Sequence, residues 1–188
     1  MLSRSKRWCL GILSLGLVVA CAGGIYAGGN YLEKIPDFTL KDPAAGSHTG
    51  ESLLKDTKKG LVVIVTIPNA KHGPMQSRWQ SKLMKKNWPE GMKMVLLEDL
   101  SQAGMVKEKA EKGMKDGFKP GKEPLLLVDE TGEVRRTFGV GQDMTVCLIF
   151  DPKGNLVHAE DGQSSIESTE PSVDVVQRVQ KILGKMAK

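Results

Sequence analysis

Cysteine is scarce in this chain: three occur in 188 residues, and Cys147 is the only one beyond residue 21. A single thiol cannot form an internal disulfide, so no disulfide framework holds the folded part. Aromatic residues are also few, at 5% of the sequence. No basic patch is interleaved with aromatics, which argues against nucleic acid as a partner. No Gly-rich phosphate loop, serine elbow or metalloprotease helix is present. Histidine is limited to His48, His72 and His158. No acidic residue precedes position 21, and Arg4, Lys6 and Arg7 supply three positive charges there. Without that leader the net charge falls from +5 to +2, so the basic balance belongs largely to the first twenty residues.

The leader is the clearest local signal. MLSRSKRW is a short basic segment, and CLGILSLGLVVA is an apolar stretch short for a membrane span. It ends in Val18-Val19-Ala20-Cys21, which resembles a bacterial lipobox. Residues 1–20 therefore read as a lipoprotein signal peptide, with Cys21 as the lipidated residue. An ordinary secretory cut at Ala20-Cys21-Ala22 or Ile25-Tyr26-Ala27 and a retained N-terminal anchor are the other readings. All three place the rest of the chain outside the cytoplasm. Residues 21–34 are Gly-rich and read as a tether, and residues 35–188 as one domain.

Within that domain IPDFTL is extended and KDPAAGSHTGES is a polar loop carrying a solvated His48. SLLKDTKK forms a helical turn. LVVIVT is apolar on both faces, as expected of a strand inside a sheet. From Pro74 the period changes. Met75, Trp79, Leu83, Met84 and Trp88 share one helical face, and proline suits a first helical turn. MKMVLLED is the next strand, and residues 102–116 form a charged, exposed helix. PLLLVDETGEVRRTF reads as strand, turn and strand. TVCLIFDPKGNLVHA repeats that layout around Asp151-Pro152-Lys153-Gly154, a hairpin signal. Cys147 then lies in an apolar strand as a core thiol. Residues 161–171 are loop-like. The chain closes with an amphipathic helix whose apolar face is Val173, Val176, Val179, Ile182 and Leu183. Alternating strands and helices with a late hairpin imply an α/β fold with a central mixed sheet flanked by helices.

Several of these stretches resemble the thioredoxin-like superfamily, in its redoxin and alkyl-hydroperoxide-reductase-type (TlpA-like) branch. Pro36-Asp37-Phe38-Thr39-Leu40 matches that branch's opening Pro-Asp-Phe-x-Leu segment. Lys59 to Met75 lines up, without a gap, with its strand ending in Trp-Cys-Gly-Pro-Cys. Lys71 falls on the tryptophan, His72 on the first cysteine, Gly73 and Pro74 on themselves, and Met75 on the second cysteine. Counting back from Asp151 puts the family's cis-proline at Thr145, beside Met144. The hairpin, Asp161-Gly162 and the terminal helix also resemble the YtfJ-type branch. The resemblance implies a thioredoxin-like fold with a degenerate active site at Lys71, His72, Gly73, Pro74, Met75, Met144 and Thr145. Thiol exchange needs a thiolate and a resolving thiol, and a thioether supplies neither.

Three functions fit this pattern. The first is a redox-inactive binding or assembly module that needs no cofactor, has an envelope protein as partner and is held to the membrane by its lipid. The second is copper handling. Imidazole and thioether favour Cu(I), and His72, Met75 and Met144 would be the ligands if the fold brings them together. The third is an enzyme in the same cleft, either a residual thiol or antioxidant activity, or acid–base chemistry at His158 with Glu160 and Asp161.

Overall fold

The computed structural model describes residues 30–55, 57–67, 73–84, 88–142, 144–161 and 173–188, and at 73–77 the backbone alone. Its strands are β1 (Thr39–Lys41), β2 (Ser47–Thr49), β3 (Gly60–Thr66), β4 (Met92–Asp99), β5 (Leu125–Asp129), β6 (Val146–Phe150) and β7 (Leu156–Asp161). Its helices are α1 (Gly50–Lys55), α2 (Gly73–Met84), α3 (Lys107–Gly117), α4 (Glu133–Thr137) and α5 (Val173–Met186). The strands make one sheet in the order β2-β1-β5-β4-β3-β6-β7. β3, β4 and β5 run parallel, and β6 and β1 run antiparallel to their neighbours.

β3 explains the layering. Every residue of Gly60–Thr66 is buried, because the strand lies between β4 and β6 and is covered on both faces. Leu61, Val63 and Val65 join Leu97, Val146, Leu148 and Phe150 in one core. Val62 and Ile64 join Trp79, Leu83, Val176 and Val179 in the other, against α2 and α5. The continuous β-branched run is what a strand apolar on both faces requires. Gly60 has φ +133°, and a Cβ there would collide with the carbonyl oxygen of Phe150, so the strand's entry takes glycine.

Four segments differ from the sequence reading. Residues 133–137 form helix α4 instead of a second strand. Gly132 turns the chain at φ +70°, the Thr131 hydroxyl accepts from the Glu133 N–H, and Asp129 accepts from the Arg135 N–H at 2.8 Å. These side chains satisfy the first N–H groups of a helix, which a hairpin would not need. Residues 47–49 form β2 instead of loop, because the Asp42 carboxylate accepts from the N–H groups of Ala44 and Gly46 and closes a turn onto β1. In α5 the buried positions are Val175, Val176, Val179 and Leu183, while Val173 is exposed at the first turn.

The fourth difference is at the expected tether, whose end packs on the domain. Tyr31 is buried in the core, Glu33 accepts from the Leu156 N–H at 2.7 Å, and Lys34 bridges to Asn155. The remaining expected elements are present, with residues 100–102 and 104–106 in two short 3-10 turns before α3. The expected loop over 161–171 lies, apart from Asp161, outside the described residues. Among the described residues no helix is long and apolar enough to cross a membrane.

Candidate functional site

The parallel strands β3, β4 and β5 all end at one edge of the domain, and β7 ends there too. Thr66, Asp99, Asp129 and Asp161 close these strands. Open α/β sheets place ligand sites at such carboxyl ends. α2 starts here at Gly73, directly after the β3 segment, with Pro74 in its first turn. Trp79 and Leu83 anchor the helix in the core. Lys71 and His72 lie outside the described residues, as does the Met75 side chain, so the convergence of His72, Met75 and Met144 lies outside them as well.

Met144 is half-buried and packs against the apolar core on the Tyr31 side of the sheet. Thr145 is fully buried, and its hydroxyl oxygen lies 3.0 Å from that of Thr66, the last residue of β3. The described cis prolyl bond is Glu123–Pro124, at the start of β5. Among the described residues no group of three or more His, Cys, Asp or Glu side chains is placed to hold a metal ion.

Cys147 sits at the second position of β6, opposite Ile64 on one side and Glu160 on the other, with no solvent exposure. Burial pushes its thiol well above the ordinary value, and the nearby Glu160 charge adds to the shift. The thiolate is the reactive form of cysteine, and this site suppresses it.

The acid–base cluster expected near His158 is an ion-pair network. Glu160 is 4% exposed. Arg178 of α5 donates to its two carboxylate oxygens at 2.6 and 3.1 Å, and His158 Nε2 lies 2.9 Å from Oε2. Burial alone would raise the Glu160 carboxyl; the hydrogen bonds from Arg178 and His158 outweigh it and hold the group below its ordinary value. The network ties α5 to β7. Tyr31 Oη is buried near Asp161 and Glu160, with no hydrogen-bond partner among the described residues. Burial first, and those two charges after it, raise its phenol to about 12, so it remains an O–H donor at neutral pH. His48 is half-buried, not solvated, and its Nε2 lies 3.0 Å from Asp42 Oδ2.

A second network was absent from the sequence reading. The Arg135 guanidinium is buried between Asp99, which accepts from its Nε, and the carbonyl of Val140, which accepts from Nη1. Asp99 also accepts from the Ser101 N–H at 2.8 Å. Asp99 and Asp129 each follow an apolar run, VLLED and LLLVD, and that placement was the available signal. The side chains are satisfied by one another, so the network locks β4, β5 and α4 together.

No family model matches the chain, and no curated protein matches it. Solved structures do. An uncharacterized conserved protein from Geobacillus kaustophilus superposes with TM-score 0.63 at 18% identity, covering 84% of this chain and 82% of that one. A putative thiol:disulfide interchange protein DsbE from Chlorobium tepidum gives 0.57 at 19% identity, covering 84% and 98%. A secreted Mycobacterium tuberculosis disulfide oxidoreductase homologous to DsbE gives 0.51 at 13% identity, covering 79% and 96%. The chain has the thioredoxin-like fold. At these identities the likeness speaks of the fold alone.

Proposed function

We propose that this chain is a thioredoxin-like module of the bacterial cell envelope that binds or assembles a protein partner without redox catalysis, exported and held at the membrane by a lipid on Cys21. The observation that carries this reading is Cys147. It is the sole cysteine beyond residue 21, and it is sealed in the core with its thiol pushed toward the protonated form. Thiol–disulfide exchange and peroxide reduction both need an accessible thiolate, and dithiol exchange needs a second one. At the start of α2 the sequence offers His72 and Met75 in place of a cysteine pair, and neither side chain can carry that chemistry. Export is supported by the leader and by a structural neighbour described as secreted.

The test is a thiol titration of the leaderless chain carrying Cys21→Ser. Ellman's reagent should leave the native protein unreacted and detect one thiol per chain in guanidinium. Rapid native reaction, or disulfide-reductase turnover abolished by Cys147→Ser, would overturn the reading. Palmitate labelling lost in Cys21→Ser tests the anchor.

A further inference from the structure

We propose that the outer edge of β5, over Leu125–Leu127, accepts an extended segment of the partner, rich in acidic and aliphatic residues, as an added strand. This deepens the binding reading and rests on it.

The sheet has a notch at this place. β5 lies inside the strand order, between β1 and β4. On the β4 side it is paired from Leu125 to Asp129. On the other side β1 meets it at one register pair, Lys41 with Val128. β1 leaves there because Asp42 turns the chain. The Asp42 carboxylate accepts from the N–H groups of Ala44 and Gly46, and its own N–H carries the β1–β2 ladder on to the Gly46 carbonyl. Among the described residues, the edge of Leu125–Leu127 is therefore left without a ladder partner. Exposed edges are ordinarily blunted by a charge, a proline or a covering element. This one has three leucines, and α3, which lines a cleft with Leu126, has no buried residue.

Two clefts flank the edge, of about 580 and 480 Å³, and Met114 of α3 lines both. The smaller has Leu126 and Phe118 in its wall and Lys109, Lys119 and Lys122 around it. Glu98 and Glu123 also line it. Burial raises the Glu123 carboxyl, against a smaller opposing effect of Lys93. The larger cleft is predominantly acidic, with Asp42, Glu111, Asp129, Glu130 and Glu133 beside Lys41 and Lys115, so the acidic residues of the segment belong at the smaller cleft.

These features specify the occupant. An open edge recognises main chain, so the segment is extended, and side chains of period two send alternate residues to the same face. An aliphatic residue meets Leu126 and Phe118. The lysines at the Leu125 end select carboxylates beside it.

The experiment is an amide NMR titration of the leaderless Cys21→Ser chain. The probe is an acetylated, amidated heptapeptide alternating glutamate with valine and leucine, together with its N-methylated counterpart. The expected result is saturable shifts at residues 125–128 and along 114–122. Binding should weaken by about tenfold or more with the N-methylated peptide and with Lys119→Glu/Lys122→Glu. Both lysines are exposed, so that variant should keep the native thermal melt. No saturable shift at β5, or equal binding of the N-methylated peptide, overturns the proposal. Shifts confined to α2 and residues 144–145 also overturn it while leaving the binding reading intact, and that reading falls separately if the thiol titration fails.

Discussion

Thr66 and Thr145 meet through their hydroxyls, 3.0 Å apart, at the buried junction between the end of β3 and the residue that leads into β6. The resemblance to redoxins puts a proline at that second position. Here a side-chain hydrogen bond holds the strand ends together instead. Each of Thr66→Val and Thr145→Val should cost about 1–2 kcal/mol in urea unfolding, the range for a buried hydroxyl that loses its partner. The double variant should cost less than the two together, by about 0.5–1 kcal/mol, because the second substitution removes an already broken bond. Strict additivity would show that the pair does not couple.

Glu160 makes stability depend on pH with a definite sign. Its carboxyl is held below the ordinary value in the folded state, against the pull of burial, by Arg178 and His158. A depressed carboxylate contributes stability that is complete above its unfolded value, about 4.3 for glutamate. That contribution is lost as pH falls through the folded value. Glu160→Gln should lower stability at pH 7 by roughly 1–2 kcal/mol, since Arg178 is half-exposed and solvent screens the pair. The difference from the parent should shrink as the pH is taken from 5 toward 3. Unfolding curves across that range measure it.

Copper separates the binding reading from its alternative. Met144 packs into the apolar core, where its thioether already has neighbours. The binding account therefore expects the chain to lose to a colorimetric chelator in a Cu(I) competition titration. Stoichiometric binding that disappears with His72→Ala/Met75→Leu would make the start of α2 a metal site.

Local patterns were legible in the sequence. Asp151-Pro152-Lys153-Gly154 forms the β6–β7 turn because Asp151 accepts from the N–H groups of Lys153 and Asn155, within four residues of itself. Likewise LVVIVT announces a buried strand by composition alone. What stayed hidden depends on distant partners. α4 is fixed by Arg135 reaching Asp99, 36 residues away, and VRRTF carries no sign of that by itself. Tyr31 looked like tether because its burial is supplied by the core around β6 and β7. Glu160 read as part of an acid–base cluster with His158 because its other partner, Arg178, lies 18 residues on in a helix. At the site, Thr145 stands at the entry to β6, and its bond to Thr66 spans 79 residues and could not be read.

The central claim of the proposed function is that this thioredoxin-like domain, without a thiol pair at the start of α2, acts by binding and not by thiol exchange. The most direct measurement is insulin-disulfide reduction by the leaderless Cys21→Ser chain, side by side with the same chain carrying His72→Cys/Met75→Cys. The account expects the parent to stay at the rate without protein, and the double-cysteine variant to form an internal disulfide and gain turnover. Turnover by the parent itself would contradict it.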